Sequence, residues 1–258
     1  MNLLHVRHAT SIITYAGIKI LIDPVLGEKD RYPAIPLTPN MRRNPLVDLS
    51  TPLETLLKVD LILSTHLHRD HFDERAYEWL DKTIPIVCQS QDELKIKEKG
   101  FLNLHPIKEG IQYNNILITR VEAKHGKGAT GKMMGVASGY ILKAKNEPTV
   151  YITGDTIFTD KIKYNINHYH PKVLLMNAGS PKFLNSDRIV MNIMDIEKVL
   201  KVNPKLIFVI VHLDTFNHCV ERRDDVEEYF TKERLREMDV KGFVIPEDND
   251  FLGEEYFI

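Results

Sequence analysis

The chain has 258 residues, a formal net charge of −2, 43% hydrophobic and 27% charged residues, and two cysteines. That is the composition of a globular protein with enough chain for one large domain or two small ones, and for a sizeable core. The near-neutral balance excludes a bulk electrostatic pull toward nucleic acid or anionic membrane, and leaves room only for a local basic patch.

Cys88 and Cys219 are far apart in sequence, which argues against a disulfide framework and for a reducing compartment. The first residues, MNLLHVRHATS, lack the apolar run of a signal peptide, and no segment approaches the ~20 apolar residues of a membrane span. The expectation is a cytoplasmic protein.

In chain order, LLHVRH, SIITYAG and IKILIDP predict a β-meander, with Gly17 at a turn and Pro24 ending the third run. The stretch from Gly27 to Pro52 carries five prolines and little periodicity, and reads as a long ordered loop of the kind that shapes binding sites. VDLILS predicts a buried strand, DERAYEWLDK a helix capped by Asp73, IPIVC a strand, and SQDELKIKEKG a helix ending at Gly100. FLNLHPI, ILITRVEAKH, GVASGYILKA, TVYIT, KVLLMN and KLIFVIVH predict further strands. MDIEKVLKV predicts a helix before the last of these, and VERRDDVEEYFTKERLREM one long amphipathic helix after it. With no fixed repeat and no linker, residues 1–258 read as a single domain in which helices cover sheets, an α/β or α+β layer architecture.

The stretch STHLHRDHFDE places His66, His68, Asp70 and His71 directly after the VDLILS strand. A tight loop at a strand end can aim several side chains into one space, and imidazole with carboxylate suits zinc, manganese or iron. One tetrahedral ion cannot easily use all four. His66 and His68 could share one ion, with Asp70 and His71 turned toward a second. The bland alternative is a polar, solvated loop, which this density of donors disfavours. Further candidates follow strands of their own: His125 after ITRVEAK, Asp155 in TGDT, and His212 in VHLDTF.

In order and type, THLHRDH, His125, GDT and His212 resemble the metallo-β-lactamase superfamily over nearly the whole chain. RHATSIITYAGIKILIDP, NPLVDL, LLMNAGS and HLDTF look like the branch containing L-ascorbate-6-phosphate lactonase and N-acyl-phosphatidylethanolamine phospholipase D. The resemblance implies an α+β fold, a four-layer αββα sandwich with the metal site at one sheet edge. Carried over by position, His66, His68 and His125 would hold one divalent ion, and Asp70, His71 and His212 a second. Asp155 would bridge them. Zinc is the first expectation, with manganese or iron as alternatives. Ions so placed make water a nucleophile near neutral pH, and Asp70 is the candidate catalytic residue that orients it. His8 and Asn177 could face the substrate, and Asp23 could support the metal-binding loop through a hydrogen bond.

Other features stay bland. His168 and His170 precede a strand and read as exposed, and His105 and His218 have no partner pattern. KHGKGATGK lacks the order of a phosphate-binding P-loop and reads as a flexible loop, although its lysines, like Arg42 and Arg43, could meet an anionic substrate. The expectation is a metal-dependent hydrolase that cleaves a phosphoester or lactone in a small molecule. No nucleic acid is expected as partner, and self-association is left open. The alternative is a non-catalytic domain of the same fold that binds metal and ligand. The absent signal sequence argues against a secreted β-lactamase. Phe72 and Asp73 argue against the glyoxalase-type thioesterases, His68 against flavodiiron reductases, and the lack of an inserted arm against RNA-processing members.

Overall fold

The computed structural model describes residues 1–257. The chain opens with β1 (Asn2–Arg7), β2 (Thr10–Tyr15) and β3 (Ile18–Ile22), an antiparallel meander with Gly17 at φ +80° in its second turn. After α1 (Leu53–Leu57) come β4 (Leu61–Leu63), α2 (Glu74–Trp79), β5 (Ile86–Gln89), α3 (Glu93–Glu98) and β6 (Leu104–Ile107). The second half runs β7 (Gly110–Tyr113), β8 (Ile116–Ala123), α4 (Gly128–Met134), β9 (Ala137–Lys143), β10 (Val150–Ile152), α5 (Asp160–Tyr169) and β11 (Val173–Asn177). It continues with α6 (Ile193–Val202), β12 (Ile207–Val211), α7 (Arg223–Tyr229), α8 (Lys232–Glu237), β13 (Gly242–Val244) and β14 (Phe251–Leu252).

Among the described residues the strands form two seven-stranded sheets, in the orders β14-β1-β2-β3-β4-β5-β6 and β13-β12-β11-β10-β9-β8-β7. Apolar side chains sort into three layers of core. One lies between the sheets and includes Ile13, Leu63, Tyr140, Ile152 and Val209. A second packs the first sheet against α2 and α3 through Ile62, Ile86, Phe72, Ala76 and Ile96. The third packs the other sheet against α5, α6 and α7 through Leu174, Phe208, Ile162, Ile196 and Val226. This is the αββα sandwich that the resemblance implies. Among the described residues no helix is long and apolar enough to cross a membrane.

Strand direction decides where the site lies. In the first sheet β1 and β3 run alike, each antiparallel to β2, and β3 pairs parallel with β4. In the second sheet β10, β11 and β12 are parallel, and β8 shares their direction because both β8 and β10 are antiparallel to β9. The C-terminal ends of all seven strands therefore point the same way in their own sheets, and the residues just beyond them meet at one edge of the sandwich.

Local expectations hold where the sequence carries an explicit signal. Asp73 caps α2, its Oδ1 accepting from the Ala76 amide at 2.8 Å, and its Oδ2 accepts from the Gly27 amide at 2.6 Å. The proline-rich loop is ordered: the buried Arg7 guanidinium donates to the carbonyls of Val47 (3.0 Å), Val25 (3.2 Å) and Gly27. Two expectations are corrected. The single C-terminal helix is two, because the Thr231 side chain accepts from the Arg234 amide and starts α8 afresh. The flexible loop after His125 is instead α4, a short helix of sequence GATGKMM that stops at Gly135, where φ is +76°. The short edge strands β7, β13 and β14 escaped the sequence reading, as did helix α5, although it buries Ile162, Asn165 and Ile166 on one face.

Candidate metal centre and its cavity

The loop after β4 is turned inward by a carboxylate from the neighbouring strand. Asp23, just past β3, accepts from the Thr65 amide through Oδ1 (2.7 Å) and from the Thr65 hydroxyl through Oδ2 (2.6 Å). The same Oδ2 lies 2.7 Å from His71 Nδ1. Asp23 thereby fixes both the loop and the His71 ring, leaving His71 Nε2 aimed at Asp155 Oδ1, 3.2 Å away.

Two groups of donors result. In the first, His68 Nδ1 lies 3.0 Å from His66 Nε2 and 3.2 Å from His125 Nε2, and His125 Nε2 lies 3.5 Å from Asp155 Oδ2. In the second, Asp70 Oδ2 lies 3.6 Å from His212 Nε2 and 3.5 Å from His8 Nε2, and His212 Nε2 lies 3.5 Å from Asp155 Oδ1. Asp155 touches both groups with one oxygen each. Ligand atoms of His66, His68 and His125, of His66, His71 and Asp155, and of His8, Asp70, His71 and His212 all lie within 4.8 Å of one another inside each set. The structure thus brings together the seven residues expected as ligands.

The donors fit a cation. His125 Nδ1 donates to the Ile189 carbonyl at 2.9 Å and His212 Nδ1 to the Ala178 carbonyl at 3.1 Å. Each bond fixes the tautomer and turns the lone pair of Nε2 into the cluster, the usual arrangement behind metal-binding imidazoles. The Nε2 atoms of His71 and His212 and both ring nitrogens of His8 are buried without a hydrogen-bond partner. Such orphans cost about 1–3 kcal/mol each unless something binds them. Burial alone would raise the pKa of Asp70 and Asp155, yet the surrounding imidazoles hold both well below the usual carboxylate range. Burial opposes charge on His71 as well, but Asp155 and Asp23 outweigh it and raise its pKa to about 10. His125 is lowered to about 4, chiefly by burial.

The backbone at this edge is unusual. His8, Asp23 and His212 adopt φ of +53°, +44° and +70°, a region costly for side chains other than glycine. Gly154, before Asp155, takes φ +59°, and a Cβ there would sit 2.2 Å from the Ser138 carbonyl oxygen.

His8 and Asn177 do not reach the open side. His8 is 1% exposed and stacks on His212 with ring centroids 3.7 Å apart. Asn177 ends β11, is 3% exposed and donates through Nδ2 to Asp155 Oδ1 at 2.8 Å. His218, set aside in the sequence, belongs to the site: its Nε2 lies 3.2 Å from Asp70 Oδ2, and it lines the cavity over the cluster. Its signal was position, six residues past His212 in a loop already rich in site residues. His168 and His170 are exposed, as expected.

The cavity over the cluster has a volume of about 210 Å³. Its floor is His68, Asp70, His125 and His218, and Ile35, Met134, Phe183 and Ile189 form its walls. Among the described residues Arg69 is its lone cationic lining residue besides the histidines, and Glu74 holds that guanidinium at 3.1 Å. Arg43 turns away to the carbonyls of Asp30 and Arg31.

The family model described as "Beta-lactamase superfamily domain" matches residues 19–213. UPF0173 protein YddR of Bacillus subtilis (strain 168) is 33% identical over 264 residues, covering 99% of this chain and 99% of YddR. A solved structure described as a possible metal-dependent hydrolase, from Veillonella parvula DSM 2008, superposes with a TM-score of 0.92 at 32% identity over 98% of each chain. The structure of isothiocyanate hydrolase from Delia radicum gut bacteria superposes with a TM-score of 0.91 at 30% identity, over 98% of this chain and 99% of that one.

Proposed function

The chain belongs to the metallo-β-lactamase superfamily as a metal-dependent hydrolase, and we propose that it directs water onto an electrophilic carbon of a small, uncharged substrate. Its cluster holds two divalent ions in this reading, zinc first and manganese or iron as alternatives. The observation that carries the substrate class is the cavity. It has apolar walls and a single cation already paired with Glu74. Beyond the ions themselves, no free protein cation there would meet the negative charge of a phosphoester. A lactone or ester carbonyl needs no such partner, so the phosphoester half of the sequence expectation loses support.

His66, His68, His125 and Asp155 would hold one ion, and Asp70, His71, His212 and Asp155 the other. Bound there, the ions supply an acidified water and polarise the substrate's electron-poor group. Asp70 would orient the water, since its carboxylate reaches the cavity from the floor. His218 lies beside Asp70 on the same floor, placed to hydrogen-bond the substrate. Asn177 and Asp23 position Asp155 and His71 respectively. With a lactone, the new C–O bond forms as the ring C–O bond breaks, and the ring oxygen takes the proton.

The named activity of the Delia radicum relative favours one further case, the N=C=S carbon. Water adds to that carbon and the C=N π pair moves to nitrogen, which is protonated. The resulting thiocarbamic acid splits into an amine and carbonyl sulfide. An uncharged heterocumulene suits the same small cavity.

The test is turnover by the zinc-loaded chain of a simple lactone, an alkyl isothiocyanate, a thioester and a phosphodiester. We expect measurable hydrolysis of the lactone or the isothiocyanate and at least about tenfold lower kcat/KM for the phosphodiester. Preferred phosphodiester cleavage would reverse the substrate reading. A metallated chain that turned over none of them would favour the non-catalytic domain.

A further inference from the structure

The walls of the cavity come from three separate segments: Ile35 from the proline-rich loop, Met134 from the end of α4, and Phe183 and Ile189 from the loop between β11 and α6. Ile35, Met134 and Phe183 are only half-buried. Their remaining apolar surface therefore faces open space, an arrangement that is favourable once an apolar group fills it. Near them in sequence Leu37, Met133 and Leu184 are 69%, 67% and 55% exposed. The Leu184 amide donates to the Leu37 carbonyl at 2.6 Å, which joins two of the wall segments.

The wall is also held in place. The buried Asn217 side chain accepts from the Ile35 amide at 3.0 Å and donates to the Ile35 carbonyl at 3.1 Å. It also donates to the Thr38 hydroxyl at 2.7 Å and accepts from the Asn44 side chain at 2.7 Å. Asn217 is the residue before His218, so one short segment sets both Ile35 in the wall and His218 in the floor. Such a pocket is formed before its ligand arrives, which lowers the ordering cost of binding. Its volume, about 210 Å³, lies below the ~300–1,000 Å³ of pockets for drug-sized ligands.

We propose that Ile35, Met134, Phe183 and Ile189 form a subsite for a short, uncharged, apolar arm on the substrate, with the arm's electrophilic carbon set over His68, Asp70 and His218. The occupant follows from the lining and from its continuity with the metal cluster: apolar walls for the arm, polar floor for the reacting group. The inference rests on the hydrolytic reading above only for the reaction, not for the binding. Asn217 holds the Ile35 backbone in that wall.

The test pairs catalysis with binding on the full zinc-loaded chain. Kinetics compare n-butyl with methyl isothiocyanate, and n-butyl with methyl substitution on one lactone. Calorimetry compares N-butylurea with N-methylurea, which are neutral and inert. One methylene in a fitted apolar pocket is worth about 10–200-fold in discrimination. We expect the butyl compounds to lead by at least about tenfold in kcat/KM and in affinity, and Phe183→Ser or Ile35→Ser to erase most of that lead. Leu102→Ser, at a site 77% exposed, serves as the control that keeps it. The urea comparison on the unaltered chain decides the matter even where a variant fails to fold. If the ureas discriminate while no electrophile turns over, the reaction reading fails and the subsite stands. If butyl and methyl ureas bind alike and the butyl electrophiles gain no advantage, the subsite is overturned.

Discussion

Asp155→Asn is expected to leave the purified chain with no more than half the bound metal of the unaltered protein and to lower kcat/KM by more than about 100-fold. Losing an outer hydrogen-bond partner already costs a metal site ~10–100-fold, and Asp155 is closer in than that. Its Oδ1 faces His71 Nε2 and His212 Nε2 at 3.2 and 3.5 Å, and its Oδ2 faces His125 Nε2 at 3.5 Å. Asparagine keeps the shape and one oxygen. It places an N–H₂ toward one group of lone pairs and removes the charge that both groups share. Asn177 Nδ2 donates to Oδ1, so the amide oxygen is drawn to that side and its nitrogen falls toward His125. Elemental analysis of the purified variant gives the metal content. The shift of Tm on adding zinc gives an independent reading, because a ligand that binds only the folded state raises it. Wild-type metal content and a wild-type Tm shift in the variant would remove Asp155 from the centre.

Gly154→Ala is expected to destabilise the fold by about 2–5 kcal/mol, from two separate costs. Residue 154 has φ +59°, where an L-residue with a side chain pays roughly 1–2 kcal/mol. The added Cβ would also lie 2.2 Å from the Ser138 carbonyl oxygen and 3.4 Å from Thr65 Cβ. Overpacking of this kind costs about 1–3 kcal/mol, and here the obstacle is backbone rather than a yielding side chain. The site shares the damage, because the Ser138 amide donates to the Thr65 carbonyl at 3.1 Å. Thr65 in turn sits on Asp23 and beside His66 Nδ1, 3.1 Å away. Denaturant unfolding of the metal-free variant measures the loss. A change below about 1 kcal/mol would mean that the close approach at Gly154 is not required.

How much of this was readable in the sequence depends on whether the signal was local. His66 to His71 form a dense motif after an obvious strand, and the strand-end positions of His125, Asp155 and His212 were visible one at a time. That they converge follows from β8, β10 and β12 sharing a direction, which pairing decides and no short window reveals. Asp73 declared itself as a cap, and Thr231 did too in principle, but its signal was outvoted by a helical period running through it. His218 carried no motif. Its place on the floor comes from the loop that Asn217 fastens to Ile35, a contact across 182 residues. His8 and Asn177 were expected to face substrate, and lie instead behind the cluster, against His212 and Asp155. The superfamily was legible in the ordered motif. The narrower likeness to the lactonase and the phospholipase D remains a likeness of short segments, and the apolar walls were legible only once three distant stretches met.

Hydrolysis is expected to depend on ions held by the histidine–aspartate cluster. The direct measurement is a zinc titration of chelator-treated protein, with hydrolysis of n-butyl isothiocyanate or a lactone followed at each addition. We expect no turnover in the stripped protein, activity that returns with added zinc, and a plateau at two ions per chain. Undiminished turnover by the stripped protein, still folded and free of metal by elemental analysis, would contradict it.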